Sequence, residues 1–295
     1  MPPSEVQQEI HETIALPVSR NPSELMKCPI CQTEMRHVFD TKVLGKHPAS
    51  YFHCTGCGII KPQNPTWLPE SYSSAIAETD VGLVSRNLRN RDLLGAILTR
   101  LHPASGRILD IGGGYGLLCR LMRDKGWDCY TTDTYCKNLF ASSYEPHAGF
   151  TCPTLLAFEV FEHIEDPLSF AREQIQKYGA QRLIFSTLTH PWDVPPLDWW
   201  YYTFETGQHI SIYKRETLAR LASELGWNYL AISDELHVIS ETAFSWLDQL
   251  LLCRRSRIIS RPYRTCANLR FRPQSRMMED YREIKERVLR AQSGK

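Results

Sequence analysis

Three ionisable side chains, Glu159, Glu162 and His163, lie three and four residues apart in the stretch AFEVFEHIEDP, directly after an apolar run. Two carboxylates and an imidazole at this spacing allow three interpretations. They can bind a divalent metal ion, act as an acid/base pair, or form the polar start of a helix, where negative groups are favourable.

Two cysteine pairs, CPIC and CTGC, give the pattern C-x2-C…x22…C-x2-C with Cys28, Cys31, Cys54 and Cys57. Four thiolates in two such pairs predict a tetrahedral, structural zinc site. The segment is too short for a core of its own, so the metal would supply folding free energy. A redox role is not predicted, because neither pair opens a helix in a βαβ context.

The stretch LDIGGGYG places Asp110, Gly112, Gly114 and Gly116 in a D-x-G-x-G-x-G spacing between an apolar strand and a helix. Glycines there allow positive φ and close approach to a ligand, and the helix start offers free N–H groups. Asp133 follows 23 residues after Asp110, at the end of a second predicted strand. A carboxylate at this place can bind the ribose of a nucleotide cofactor.

In combination, LDIGGGYG, Asp133 and FEVFEHIEDP resemble class I S-adenosylmethionine-dependent methyltransferases over roughly residues 80–240. A nicotinamide cofactor is not predicted, because Leu117 stands where the third glycine of its fingerprint belongs. The resemblance implies that Gly112 and Gly114 line the methionine part of the cofactor and that Asp110 helps to hold that end. It also implies that Asp133 binds both ribose hydroxyls. Phe158 and Glu159, after the third strand, would flank the sulfonium.

An aromatic, loop-rich segment, THPWDVPPLDWWYYTFETGQHIS, follows a further predicted strand. In similar methyltransferases such a segment covers the acceptor site and is followed by a histidine, here His209. We therefore expect part of the aromatic cluster to line an acceptor site. His163 and His209 are the candidate general bases, since imidazole titrates near neutral pH.

The E-x-x-E-H spacing also resembles the metal motif of small-RNA 2′-O-methyltransferases and of some quinone-precursor O-methyltransferases. That resemblance implies a second divalent ion on Glu159, Glu162, His163 and His209. The alternative is that the acids cap the helix start and order the loop, as in methyltransferases that carry a similar motif without a known metal.

The elements that must position these residues alternate between strand and helix from residue 80 onward, which predicts an α/β fold. We expect a Rossmann-like, mainly parallel sheet flanked by helices, with a small N-terminal zinc ribbon and C-terminal helices. The predicted domains are a leader (1–24), the zinc ribbon (25–62), a connector (63–79), the methyltransferase domain (80–240) and a basic helical extension (241–295).

The net charge of the 295 residues is only +1, but residues 253–295 carry 13 Lys and Arg against 4 Asp and Glu. No run of eighteen apolar residues and no signal-peptide pattern occur. We therefore expect a cytoplasmic protein without a membrane partner, in a compartment where cysteines bind metal more often than they form disulfides.

The predicted function is methyl transfer from S-adenosylmethionine to a small-molecule acceptor, because a short ribbon before such a domain resembles sugar and natural-product tailoring enzymes. A hydroxyl of a saccharide or secondary metabolite is the first choice. Methylation of RNA or of a peptide side chain is the alternative, supported by the ribbon, the basic extension and the E-x-x-E-H spacing. A non-catalytic zinc-ribbon scaffold is the third, and the intact turn from Asp110 to Gly116 argues against it.

Overall fold

The computed structural model describes residues 26–72, 81–103, 106–253, 257–270 and 275–292. The predicted leader (1–24) lies outside the described residues, as do residues 73–79 of the predicted connector. Within the described residues, no helix is both long and apolar enough to cross a membrane.

The N-terminal part is a three-stranded antiparallel sheet of β1 (Met35–Val43), β2 (His47–Cys54) and β3 (Ile60–Pro62), in that order. Gly45 has a φ of +70° in the turn between β1 and β2, a conformation that favours glycine. One cysteine pair precedes β1, and the other lies at the end of β2 and in the turn to β3. The two turns thereby bring the four thiols to one end of the small sheet.

The main sheet has six strands in the order β5-β4-β6-β7-β9-β8. Its strands are β4 (Ile108–Ile111), β5 (Cys129–Thr132), β6 (Thr154–Ala157), β7 (Arg182–Ser186), β8 (Asn228–Ala231) and β9 (Leu236–Ser240). Strands β5, β4, β6 and β7 pair in parallel, and β9 pairs antiparallel with both of its neighbours. The predicted mainly parallel α/β fold is confirmed.

Helices connect and flank this sheet. They are α1 (Leu68–Ser71), α2 (Leu83–Leu101), α3 (Leu117–Asp124), α4 (Pro167–Tyr178), α5 (Arg215–Glu224), α6 (Trp246–Leu252), α7 (Arg257–Arg270) and α8 (Met277–Gln292). Helix α4 illustrates the local signals: Asp166 caps it by accepting from Ser169 N, Pro167 begins it, and Gly179 ends it at a φ of +60°.

The central strands are buried on both faces, as expected for parallel strands covered by helices. Leu109 and Leu155 lie in one core cluster, while Ile108 and Leu156 lie in another on the opposite face of the sheet. This alternation follows from the two-residue period of a strand.

Three boundaries differ from the sequence-based expectation. The sequence TLLAFEV (154–160) predicts one strand, but β6 ends at Ala157, and WNYLAISDELHVI (227–239) predicts one strand but forms the antiparallel pair β8 and β9. The sequence ETAFSWLDQLLLCRR (241–255) predicts one helix, and within its described residues the helix covers Trp246–Leu252. Helix α7 is not predicted, because Pro262 interrupts its sequence pattern.

Strand β4 lies between β5 and β6, so the chain continues to one side of β4 and then returns to the other. Ligands of open α/β sheets bind at the carboxyl ends of the strands beside such a reversal. The glycine turn, Asp133 and the FEVFEH stretch all follow the carboxyl ends of these three strands.

Candidate functional site

The four predicted zinc ligands are clustered. The Sγ atoms of Cys28 and Cys57 are 3.5 Å apart, those of Cys31 and Cys54 are 3.4 Å apart, and one ligand atom from each cysteine lies within 4.8 Å of all the others. Tetrahedral zinc with Zn–S bonds of about 2.3 Å requires sulfur atoms about 3.8 Å apart, so this cluster has the right size.

The backbone around the thiols is also arranged for a metal site. Ile30 N donates to Cys28 Sγ and Cys57 N donates to Cys54 Sγ, both at a distance of 3.4 Å. Backbone amides therefore hydrogen-bond to two of the four sulfur atoms. The Cys57 thiol lowers the pKa of Cys28 to about 5 by donating a hydrogen bond to it. The cluster can therefore hold a metal ion.

The glycine turn leaves β4 as predicted. Gly112 and Gly114 have φ values of +65° and +56°, and Gly116 has a φ of +81° directly before α3. Gly113 was not singled out from the sequence. Its φ is not positive, so it is the packing around it that requires a glycine. A Cβ there would lie 2.5 Å from Asp110 Oδ2 and would also collide with Thr131 Oγ1, so packing over the acid demands glycine.

The carboxyl group of Asp110 lies under this turn and is 1% exposed. Burial, reinforced by the charge of Asp133, raises the pKa of Asp110 to about 8. Its Oδ2 atom has no hydrogen-bond partner within the described part of the chain. A buried acceptor without a donor is costly, so this oxygen is suited to a donor from a ligand.

Asp133 follows the end of β5. Its Oδ2 accepts from Gly114 N at 2.9 Å, and its Oδ1 accepts from Tyr135 N at 2.7 Å and from Cys136 N at 2.8 Å. These bonds join the acid to the glycine turn and hold its carboxyl group beside the carboxyl ends of β4 and β5.

Phe158 and Glu159 follow β6, and Glu159 has a φ of +54°, which is unusual for a residue with a side chain. Ser186, at the end of β7, holds this conformation: its Oγ accepts from Glu159 N at 2.8 Å and donates to Glu159 Oε1 at 2.6 Å. The other carboxylate oxygen faces Arg86 Nε of α2 at 3.8 Å. Neither Ser186 nor Arg86 was identified from the sequence.

Glu162, His163 and His209 come together at the short 3-10 helix Phe161–His163, with one ligand atom from each within 4.8 Å of the others. Glu159 was expected to join them, but it lies outside this three-residue cluster. Its reversed backbone turns it toward Ser186 instead.

Hydrogen bonds assign the tautomers of both histidines. His209 Nδ1 lies 2.6 Å from the Tyr201 carbonyl oxygen, and His163 Nδ1 lies 3.0 Å from that of Gln208. Because a carbonyl oxygen only accepts, each Nδ1 carries the hydrogen and each Nε2 keeps its lone pair. Burial lowers the pKa of His163 to about 3 and lowers that of His209, so both rings are neutral at physiological pH.

Glu162 is completely buried, and its Oε1 accepts from the Tyr201 hydroxyl at 2.9 Å. Burial, together with the charge of Glu159, raises the pKa of Glu162 to about 8. Its Oε2 has no hydrogen-bond partner among the described residues. The cluster thus offers two imidazole lone pairs and one carboxylate oxygen, a set that suits a divalent metal ion or a proton transfer.

The aromatic segment divides into two parts. Trp200 and Tyr201 line the cavity described below, whereas Tyr202 packs with Phe39 and Phe204 beside the small sheet. Trp192 and Trp199 pack around His190 and do not line the cavity. Part of the aromatic segment thus faces the cavity, and its role in lining an acceptor site stays a prediction.

One open cavity of about 1720 Å³ connects the glycine turn, Glu159 and the two histidines. It runs from Gly114 and Asp133, past Glu159, to His163 and His209. Its volume exceeds the 300–1,000 Å³ that is usual for one small ligand, so it has room for a cofactor and a second molecule.

A family model described as a methyltransferase domain matches residues 85–232, which is 148 of the 295 residues. No curated protein matches the sequence.

Solved structures with a similar fold include magnesium protoporphyrin IX methyltransferase from Synechocystis PCC 6803 with bound SAH, at 13% identity and a TM-score of 0.40 over 59% of this chain and 94% of that chain. The plantazolicin methyltransferase BpumL in complex with SAH is 12% identical, with a TM-score of 0.40 over 60% and 98% of the two chains. An O-methyltransferase family 2 protein from Planctomyces limnophilus in complex with apigenin is 14% identical, with a TM-score of 0.39 over 58% and 63%. These values are too low to transfer any residue or substrate.

Proposed function

The chain belongs to the methyltransferase domain family, as a class I S-adenosylmethionine-dependent methyltransferase, and from this premise we propose that it methylates a hydroxyl group of a saccharide or a related secondary metabolite. The observation that carries the proposal is the continuous cavity from the glycine turn to His209. It allows an acceptor to reach the cofactor and a proton acceptor at the same time.

On this proposal the cofactor occupies the end of the cavity beside the glycine turn and Asp133, at the carboxyl ends of β4 and β5. Asp133 accepts from the ribose hydroxyls, the backbone of Gly112 and Gly114 contacts the methionine part, and Asp110 satisfies its free Oδ2 there. Phe158 and Glu159 lie at the sulfonium end, where a carboxylate favours a positive charge. When bound, S-adenosylmethionine supplies an activated methyl group, so the protein contributes mainly position.

His209 is the proton acceptor in this proposal. The Nδ1–H of its ring is held by the Tyr201 carbonyl, which leaves Nε2 to take the proton of the acceptor hydroxyl. The acceptor oxygen would gain the methyl group as the methyl carbon–sulfur bond of the bound cofactor breaks, and S-adenosylhomocysteine would leave. The lowered pKa of His209 keeps the ring neutral and able to accept. His163 lies beside it, with ring centroids 5.1 Å apart.

The same cluster also fits a divalent ion, and this is the second role that we propose for it. The free Glu162 Oε2 and the two Nε2 lone pairs would be the ligands. Such an ion would polarise the acceptor hydroxyl and help it to lose its proton. A saturable dependence of turnover on added Mg²⁺ supports the metal role, and turnover independent of Mg²⁺ supports the base role.

Zinc is the metal that we propose for the four cysteines, because a closed set of four thiolates suits tetrahedral zinc and leaves no open position for catalysis. The nearest sulfur pairs, at 3.4 and 3.5 Å, are compatible with this geometry after a small expansion.

The character of the cavity supports a neutral, polyhydroxylated acceptor. The Trp200 side chain is 70% exposed at the cavity, where its ring offers a flat apolar surface to a sugar face. Carboxyl groups outnumber basic groups in the lining, which disfavours a polyanion such as RNA at this site. Apart from Asp110, which keeps its proton up to about pH 8, the five carboxyl groups belong to Asp133, Glu159, Glu165, Glu205 and Glu235, and the four basic groups to Arg86, Arg89, Lys177 and Arg264.

The test is a transfer assay with methyl-labelled S-adenosylmethionine, a panel of nucleotide-linked and free saccharides, and RNA. We expect label in a saccharide methyl ether, and His209→Gln to reduce its formation about 10²- to 10⁴-fold while cofactor affinity is retained. His147→Gln, at an exposed histidine, is the matched control. Label that enters only RNA, or full activity of His209→Gln, would overturn the acceptor class or the base assignment respectively.

A further inference from the structure

The segment that carries His209 is bonded to the N-terminal part of the chain on both sides of the histidine. Ile60 and Ile212 exchange two backbone hydrogen bonds of 3.0 Å, and this pair joins the end of the small sheet to the residue three positions after His209. Before the histidine, Leu44 N donates to Phe204 O at 2.8 Å.

A buried lysine strengthens this junction. Lys61 is 5% exposed and donates from Nζ to Ser211 Oγ at 2.8 Å, and Ser211 Oγ donates to Ile164 O at 2.6 Å. One chain of hydrogen bonds therefore runs from β3, through the residue two positions after His209, to the residue after His163.

Gly207 and Gln208, directly before His209, are held by α1 and the residue before it. Trp67 Nε1 donates to Gly207 O and Gln208 Nε2 donates to Ser71 O, both at 2.9 Å. A Cβ at Gly207 would lie 2.6 Å from Val43 Cγ1 and 2.8 Å from the Trp67 ring. The backbone at this point is therefore enclosed by the N-terminal part.

Tyr72 connects the N-terminal part to the second histidine, His163. Its hydroxyl lies 3.0 Å from His163 Nδ1, and its ring stacks on Tyr135 with centroids 4.9 Å apart and an interplanar angle of 9°. Because His163 Nδ1–H also faces the Gln208 carbonyl, the tyrosine oxygen is a second acceptor for the same hydrogen. Tyr135 follows the proposed ribose acid Asp133 by two residues and donates to it through its backbone N–H.

We propose that residues 60–72, which leave the cysteine ribbon, form a positioning element for the two histidines of the acceptor site. They fix the place of His209 by holding Gly207, Ser211 and Ile212, and Tyr72 orients the ring of His163, whose tautomer the Gln208 carbonyl sets. The Tyr72–Tyr135 stack further couples this element to the cofactor end of the cavity. The inference rests on the proposed function for its catalytic meaning, but not for the positions themselves.

The decisive variant is Tyr72→Phe, which keeps the stack and removes only the hydroxyl. Groups that orient a catalytic or metal-binding histidine typically contribute about 10- to 100-fold to activity, so we expect kcat to fall within that range. We expect the affinity for S-adenosylmethionine to change less than twofold. Tyr281→Phe is the matched control, because it removes a tyrosine hydroxyl from an exposed position on α8, away from the cavity, and should leave kcat unchanged.

Two readouts separate this inference from the proposed function. Imidazole ¹⁵N shifts report the hydrogen bonding of His163 Nδ1–H, and hydrogen exchange reports the protection of amides 207–212 in Trp67→Phe and Lys61→Met. We expect a shifted His163 Nδ1 resonance with the Nδ1–H tautomer retained in Tyr72→Phe, and at least tenfold faster exchange in the other two variants. Both are measurable even if saccharides prove not to be the acceptors.

The inference is overturned if Tyr72→Phe retains both full kcat and an unchanged His163 spectrum. It is equally overturned if exchange at 207–212 is unaffected in Trp67→Phe and Lys61→Met while both remain folded. Equal losses of kcat in Tyr72→Phe and Tyr281→Phe would reject a specific role of the Tyr72 hydroxyl.

Discussion

Asp110 shows how a binding site is built at the expense of stability. Its folded-state pKa of about 8 lies above the ordinary range of an aspartate, mainly because the carboxyl group is buried. Between about pH 4 and pH 8 the folded protein therefore holds a proton that the unfolded chain has released. The contribution of Asp110 to folding stability therefore falls as the pH rises through this window, by a total on the order of 5 kcal/mol.

Replacing Asp110 by asparagine should remove this penalty. We expect Asp110→Asn without cofactor to be more stable than the natural protein at pH 8, and the difference to shrink toward pH 4, while affinity for S-adenosylmethionine falls. Thermal denaturation at the two pH values measures the effect as a difference between proteins, so other titrating groups cancel. Asp124→Asn, at an exposed position, serves as the control. A difference that does not vary with pH would contradict the argument.

Asp133 should be indispensable to cofactor binding. Asp133→Ala removes the proposed ribose acceptor and three hydrogen bonds from the backbone of the turn, so we expect no detectable heat of S-adenosylmethionine binding by titration calorimetry. Asp124→Asn again controls for a general loss of fold. Unchanged affinity would show that the cofactor does not bind at the end of β5.

The residues that sequence alone could identify are those with local signals. Asp110, the glycines and Asp133 follow strand ends, and the cysteines have a fixed spacing, so type and position suffice. Tyr72 and Tyr201 could not be found in this way, because they meet His163 and Glu162 over separations of 91 and 39 residues. Only the packing of the connector and the aromatic segment brings them to the site.

At the level of elements, the sequence patterns predicted the alternation of strands and helices along the chain but not every turn. The β8–β9 hairpin was missed because its polar turn, SDE at 233–235, contains neither glycine nor proline. Its turn depends on Ser233 Oγ, which accepts from Glu235 N and Leu236 N. A serine turn of this kind leaves no glycine or proline signal in the sequence.

Helix α8 is attached to the domain by a buried ion pair. Arg123 and Asp280 are 1% and 2% exposed and form two bonds of 2.7 and 2.9 Å, and Arg120 approaches the same carboxylate at 2.9 Å. Arg123 belongs to α3, the helix that follows the glycine turn. Helix α8 therefore packs against α3, the helix that begins at the glycine turn, and supports its position.

Breaking this pair should be strongly destabilising. Asp280→Asn removes the buried carboxylate from Arg123, whose remaining carboxylate partner is the partly exposed Asp128 at 2.9 Å. We therefore expect a loss of about 3 kcal/mol in the free energy of unfolding, at the low end of the range for a broken buried ion pair. Glu279→Gln is the matched control, because Glu279 pairs with Arg276 at an exposed position, and it should cost less than about 1 kcal/mol. Urea denaturation measures both. Similar small losses in the two variants would show that α8 does not depend on the buried pair.

On the scale of the whole molecule, the ribbon shares its core with the main sheet. Cys28, Ile30 and Ile59 belong to the same cluster of buried residues as Leu155 and Phe185 of the central strands. Thr217 of α5 also donates to the Cys57 carbonyl at 2.7 Å. The cysteine spacing predicted a metal ribbon, but spacing cannot reveal that the ribbon packs into the core of another part of the chain.

A shared core predicts that metal loss affects the entire protein. With zinc in the cysteine cluster, we expect calorimetry to show one unfolding transition, because parts that bury the same side chains unfold together. Since a structural zinc ion contributes several kcal/mol, a strong zinc chelator should move that single transition down by on the order of 10 °C. Zinc added back should restore it, and Cys266→Ser, at an exposed cysteine outside the cluster, should respond to the chelator like the natural protein. A separate low-temperature transition that alone responds to the chelator would mean that the ribbon folds independently of the sheet.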